Sequence, residues 1–276
     1  MGANVSTIGK LAPTQAEALL REGRLQAALD ALMAQVRAEA SNASARVFLF
    51  QLLAASGQWE RAARQLETAA QLDASQLPMA AAYKLALDGE RVRAAVFAGQ
   101  YLPTVIGEPE PWIALLLQAQ QLDASGRAEA AATMRAEALV QAPATAGSID
   151  GVPFEWIADA DSRFGPCLEM IVHGGYAWVP FARVSALEFS APASLCDLLW
   201  AQVKVTWTHG GQSMGVVPVR YPGSDGDEDD ALRLSRRTDW RQLAEGHFAG
   251  QGQRLLATDA DEYALLDVRR IDFGTV

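Results

Sequence analysis

Asp159, Asp161 and Arg163 form the densest chemical grouping in the chain, within residues 153–166 (PFEWIADADSRFGP), between aromatics and ahead of a Gly-Pro stop. Two aspartates at this spacing could hold a divalent cation or share acid and base roles. The arginine two positions on already supplies the positive charge a cation would bring. The pattern therefore favours a structural ion network in which the guanidinium bridges both carboxylates and fixes a local turn, and no metal is expected there. Taken as a strand, the segment puts Phe154, Trp156, Ala158, Ala160 and Phe164 on one face. Glu155, Asp159, Asp161 and Arg163 fall on the other, with Ile157 out of step.

The sharpest enzymatic pattern is residues 211–215, GQSMG, a formal match to the GxSxG nucleophile elbow around Ser213, with Asp239 and His247 following in hydrolase order. An elbow needs a strand, a tight turn and then a helix, whereas the VVPVRY that follows is β-branched and contains Pro218. A hairpin turn accounts better for these glycines, and a hydrolase using Ser213 is kept only as the rival reading. His173, His209 and His247 stand alone, without the helical His or Cys spacing that zinc requires. The tract GSDGDEDD at 223–230 alternates acids as a calcium loop does. It lacks the sixth-position glycine and the twelfth-position glutamate, which leaves a solvated acidic loop. No GxGxxG or Walker pattern appears, so no nucleotide cofactor is expected.

The chain has seven tryptophans. Trp59 lies on a helical apolar face and belongs in a core. Trp156, Trp178, Trp200 and Trp207 fall in the second half, Trp178 and Trp207 as facing hairpin residues. Most should fill that half's core; any that is exposed is a candidate partner anchor, so these four are the candidate partner-binding residues.

The elements that would position these groups divide the chain in two. Gly23, Gly57, Gly89 and Gly126 each separate alanine-rich helical runs, at separations of 34, 32 and 37 residues, near the roughly 34-residue tetratricopeptide period. Gly23, Gly57 and Gly126 share a turn glycine followed five residues later by alanine (Ala28, Ala62, Ala131), small enough for two helices to pack closely. The Gly89 unit is degenerate and runs into Pro103. Residues 142–151, APATAGSIDG, break the helical pattern. Beyond them the period becomes that of strands: LEMIVH and YAWVPF around Gly174-Gly175, then ARVSALEF, a short helix capped by Ser194, and a hairpin through HGGQ. QRLLAT and YALLDVRRIDF close the chain as strands. The expected fold is α+β, with a tetratricopeptide-like helical repeat domain at 1–146 and a β-rich, mostly antiparallel domain at 147–276. Proteolysis near 142–151 should separate the two.

Half the residues are apolar and 20% are charged, the composition of an ordinary globular protein. Of the net charge of −10, residues 1–146 carry −2 and residues 147–276 carry −8. Such a surface repels phosphate backbones, so nucleic acid is not an expected partner. The longest uninterrupted apolar run, 112–117, is six residues, too short to span a bilayer. The N-terminus lacks the apolar core of a signal peptide, so a cytoplasmic location is expected. Cys167 and Cys196 sit in apolar runs as buried free thiols suited to a reducing compartment.

The 153–166 segment, YAWVPF at 176–181, DLLW at 197–200, THGG at 208–211 and VRYPGS at 219–224 together resemble the ImpE/TagJ (SciE-type) accessory proteins of bacterial type VI secretion. The likeness lies mainly in the C-terminal half; the N-terminal half matches in kind, as a helical repeat region. It implies a non-catalytic cytoplasmic adaptor without cofactors. Its partners would be the sheath small subunit, engaged through a short helical segment, and the ATPase that recycles contracted sheath. Met1-Gly2 with Ser6 also fits a myristoylation pattern, which operates in eukaryotes and conflicts with a bacterial family. A general peptide-binding scaffold outside secretion is the other alternative.

Overall fold

The computed structural model describes residues 14–108 and 110–274; the readings made on the extreme N-terminus lie outside them. Among the described residues, three helical hairpins build the first half: α1 (Gln15–Arg21) with α2 (Leu25–Ala38), α3 (Ala43–Ala55) with α4 (Trp59–Leu72), and α6 (Pro111–Ala124) with α7 (Ala128–Gln141). Their turns fall at Gly23, Gly57 and Gly126, whose φ of 78°, 68° and 75° is the left-handed conformation that ends a helix most cheaply in glycine. Ala28, Ala62 and Ala131 are fully buried, as the close approach of the paired helices requires. Local signals set the starts. Thr14 and Glu17 form a reciprocal capping box on α1, and Asn42 Oδ1 accepts from Ala45 N at 2.9 Å on α3.

Gly89 departs from the repeat. It lies inside α5 (Leu77–Phe97), a single 21-residue helix without a turn. The glycine serves a close approach instead, since a Cβ there would lie 2.5 Å from Ile171 Cδ1.

The strands are β1 (Thr104–Val105), β2 (Gly147–Ile149), β3 (Val152–Phe154), β4 (Ile157–Asp159), β5 (Cys167–Val172), β6 (Gly175–Pro180), β7 (Val184–Phe189), β8 (Trp200–Trp207) and β9 (Gln212–Pro218). After a short helix α8 (Asp230–Arg233) come β10 (Thr238–Ala244), β11 (His247–Gly252), β12 (Leu255–Thr258), β13 (Glu262–Ala264) and β14 (Arg270–Phe273). Nine of them form one sheet in the order β1-β6-β5-β9-β8-β7-β14-β2-β3. Every pairing is antiparallel except β1 with β6. β13-β12-β4 and β10-β11 make two smaller sheets. The α+β fold is therefore as expected, with strand β1 contributed by the helical half. Gly175 pairs with Val172, so the β5–β6 turn is His173-Gly174, one residue earlier than the sequence suggested. Both residues have positive φ (53° and 79°), as a tight hairpin turn requires.

The large sheet is covered on both faces, and for this reason every residue of β5 is buried. One face packs on the β12–β13 layer through Leu168, Met170, Leu256 and Leu265. The other packs on the helices, where Phe50, Leu53 and Trp112 share a core with Ile171, Trp178, Trp200 and Tyr221. Helix gives way to strand between Gln141 and Gly147, inside the 142–151 span.

The acidic tract is not a solvated loop. Asp230 Oδ2 accepts from Leu25 N at 2.7 Å, capping α2 at an end where Arg24 supplies no side-chain cap. Asp225 packs against the Gly57 turn, where a Cβ would collide with its carboxylate. Unpaired N–H groups at helix starts attract carboxylates, and the tract meets that need from the opposite half of the chain.

Candidate functional site

The predicted ion cluster forms, with different partners. Arg163 binds Asp161 alone, through Nη2 to Oδ2 at 2.5 Å and Nε to Oδ1 at 2.9 Å. Asp161 also accepts from Gly250 N at 2.8 Å. Asp159 faces away from Arg163, ion-paired with Arg254 and accepting from Tyr221 Oη at 3.0 Å. Arg163 therefore does not bridge the two carboxylates as expected. The strand reading of 153–166 fails for a related reason. β3 ends at Phe154 and β4 starts at Ile157, so Trp156 falls in the break and is exposed while Asp159 and Asp161 turn inward.

Residues that local pattern did not single out complete the cluster. Glu169, fully buried on β5, receives Arg93 Nε at 2.8 Å and Nη2 at 2.7 Å from α5, along with Arg254 and the Tyr176 hydroxyl. Trp178 Nε1 donates to Tyr176 Oη at 2.8 Å, and Trp200 Nε1 to Glu90 at 2.9 Å. The Arg254 guanidinium sits 4.9 Å from the Phe164 ring centre and 5.0 Å from that of Tyr221. A glutamate inside the apolar run CLEMIV was the available signal for Glu169. A second clasp lies beside it. Arg220 donates to the carbonyls of Ala54 and Ala55 at 3.3 and 2.6 Å, capping the C-terminus of α3.

Burial separates the carboxylates electrostatically. It pushes Asp159 up to about 7, with Arg254 opposing and Asp161 adding to the rise. Burial disfavours the Glu169 charge as well, but Arg93 and Arg254 outweigh it and hold that group at about 2. A carboxyl whose pKa rises on folding stabilises most below its unfolded value of 3.8, and that contribution is lost as pH climbs towards 7. Glu169 acts oppositely, since its contribution is present above 4.5 and lost as pH falls towards 2. Asp159→Asn should consequently shrink the loss of stability between about pH 5 and about pH 8, read as urea midpoints at each pH. An unchanged difference between the two midpoints would refute this assignment.

Of the four candidate partner-binding tryptophans, Trp178, Trp200 and Trp207 are core residues. The helical layer and the opposing strands cover them, so they offer no surface to a partner. Trp156 alone is exposed, at 41%. Ser213 lies on β9 rather than in a turn, and the chain continues as strand through Pro218, so no nucleophile elbow forms. Its hydroxyl is 2.7 Å from His173 Nε2 and receives Trp207 Nε1 at 2.9 Å. Asp239 pairs instead with Arg237, and His247 lies near Arg135 and Asp123. Both cysteines are free and buried, and burial raises both thiols, Cys196 to about 12. Among the described residues no three His, Cys, Asp or Glu side chains converge on a metal position, and no helix is long and apolar enough to cross a membrane.

The helical side carries a groove of about 660 Å³ between α4 and α5. Leu66, Ala70, Leu77 and Ala80 line its apolar part, and Glu67, Lys84, Asp88 and Arg91 its charged part. Lys84 and Arg91 both pair with Asp88, at 2.5 and 2.9 Å.

A helical layer joined by buried ion pairs to a largely antiparallel sheet, with an open apolar groove between two of its helices, defines a two-layered α+β protein. A sequence profile described as "ImpE protein" matches residues 151–272. The chain is 50% identical over 258 residues to the type VI secretion system accessory component TagJ of Pseudomonas aeruginosa, covering 94% of this chain and 90% of that protein. Its fold matches the crystal structure of protein VPA1032 from Vibrio parahaemolyticus with a TM-score of 0.87 at 26% identity, covering 95% and 98% of the two chains. The chain belongs to the ImpE/TagJ family of type VI secretion accessory components.

Proposed function

We propose that this chain is a non-catalytic cytoplasmic adaptor of the type VI apparatus. It holds a helical segment from the N-terminal region of the sheath small subunit, and the ATPase that recycles contracted sheath is its second partner. The observation that carries this reading is the α4–α5 groove, whose apolar part accepts the apolar stripe of an amphipathic helix. Leu77, 55% exposed at the start of α5, is the natural anchor within it. Trp156, on the β-rich side, supplies a further contact to a partner large enough to reach both.

Calorimetry with the cognate peptide and a scrambled control tests the reading. The cognate peptide should bind with a Kd on the order of micromolar, limited by its ordering on binding. Leu77→Glu should weaken it by about tenfold or more with little change in melting temperature. Because the charges around the groove are balanced two against two, added salt should matter little. No heat from the cognate peptide, or equal heat from the scrambled one, would overturn the groove assignment.

A further inference from the structure

A second cavity, sharing no residue with the α4–α5 groove, opens where the end of α5, the α6–α7 turn and β10 meet, with a volume of about 380 Å³. Its wall holds a buried acceptor without a partner among the described residues: Gln120, on α6 and 4% exposed, has no hydrogen bond to its Oε1 there. The oxygen is closed off as it stands, and a turn of the Gln120 side chain would present it to a donor entering the cavity. Arg163 also lines it and is 8% exposed. Nε and Nη2 of that guanidinium are committed to Asp161, and the group lies over the Phe97 ring at 5.1 Å, while Nη1 makes no hydrogen bond among the described residues. The cavity thus contains a fixed cationic N–H group with donor capacity to spare. Arg241 stands exposed in the same wall and makes no ion pair among the described residues.

Charge selects the ligand. Arg163 is balanced by Asp161, and Asp123 in the wall is paired with Arg135, so Arg241 leaves the site with an excess of one positive charge. A monoanion fits this balance; a phosphate dianion would meet Asp123 with only one unmatched arginine. A ligand that also carries a donor would satisfy Gln120 Oε1 once that side chain turns towards it. We propose that this cavity binds the C-terminal end of a peptide, its free carboxylate held by Arg163 Nη1 and Arg241 and its last amide N–H donated to Gln120. The same chemistry occurs in free N-acyl amino acids, and probe length separates the two sources.

The test is calorimetry on the full chain with N-acetyl-Ala-Ala, its C-terminal amide, N-acetyl-Ala, and a six-residue peptide with a free C-terminus. The dipeptide acid should bind in the submillimolar to millimolar range, about tenfold more tightly than its amide. The six-residue acid should bind at least as well as the dipeptide. Arg241→Gln, on the surface, should weaken the acid about fivefold or more without altering the melting temperature, and Gln120→Met should weaken acid and amide alike. Absent binding of the acid at millimolar concentration, equal affinity for acid and amide, or wild-type affinity in Arg241→Gln would each overturn the proposal. Binding of N-acetyl-Ala with loss of the six-residue peptide would overturn the peptide assignment in favour of a free metabolite. Because the groove and the cavity share no residue, Leu77→Glu should leave dipeptide binding unchanged, which separates failure here from failure of the adaptor reading.

Discussion

Arg254→Met should lower stability by about 3–5 kcal/mol, because it leaves Asp159 and Glu169 buried without their shared counter-charge. Both carboxylates and Arg254 are sealed from water, on β4, β5 and the approach to β12, and Arg93 would compensate Glu169 alone. For a chain of this size the loss corresponds to a fall in melting temperature of roughly 10 °C by circular dichroism. Arg270→Met is the matched control. Arg270 pairs with Asp272 and Glu188 at 51% exposure, where solvent screens the pair, and its loss should leave the melting temperature close to that of the unaltered protein. Similar melting temperatures for the two variants would mean that the buried clasp contributes no more than a surface pair.

The helical half cut at residue 146 should fail to fold alone. The change of periodicity across 142–151 predicts two units that proteolysis separates. We propose instead that 1–146 and 147–276 are two layers of one folding unit, and the physical reason is what the cut would expose. Phe50, Leu53, Trp112 and Leu116 would lose Ile171, Trp178, Trp200 and Tyr221. Glu90 and Arg93 would lose Trp200 and Glu169, and α2 would lose its Asp230 cap. The fragment should show reduced helicity, dye binding typical of exposed apolar surface and no cooperative melt. Mixing it with 147–276 should restore both helicity and the transition. A sharp, independent melt of the fragment would restore the two-unit reading.

The hairpins at Gly23, Gly57 and Gly126 were legible because a left-handed turn glycine and a small alanine five residues on are local requirements, met by neighbours in the chain. Gly89 carried the same letter for a different reason, the approach of Ile171 from a strand 82 residues later. The glycine itself gives no sign of which neighbour it accommodates. Local spacing pairs Arg163 with a near neighbour, and in the structure its partner is Asp161. For Asp159 the partner was Arg254, 95 residues away, which local spacing has no means of indicating.

The sequence alone determined the alternation of helix and strand, the hairpin turns, the α+β class and, through motifs such as PFEWIADADSRFGP and VRYPGS, the family. These depend on backbone propensity and on residues close along the chain. The tertiary structure decided which side chains lie inside. The helices landing on the large sheet buried Trp178 and Trp200, the β12–β13 side of that sheet closed over other residues, and the break between β3 and β4 left Trp156 out. The same packing turned the acidic tract from a solvated run into a helix cap and drew Arg93, Glu169 and Arg254 into one sealed cluster. Burial and charge pairing depend on elements that arrive from distant parts of the chain, so they become defined only when the layers close.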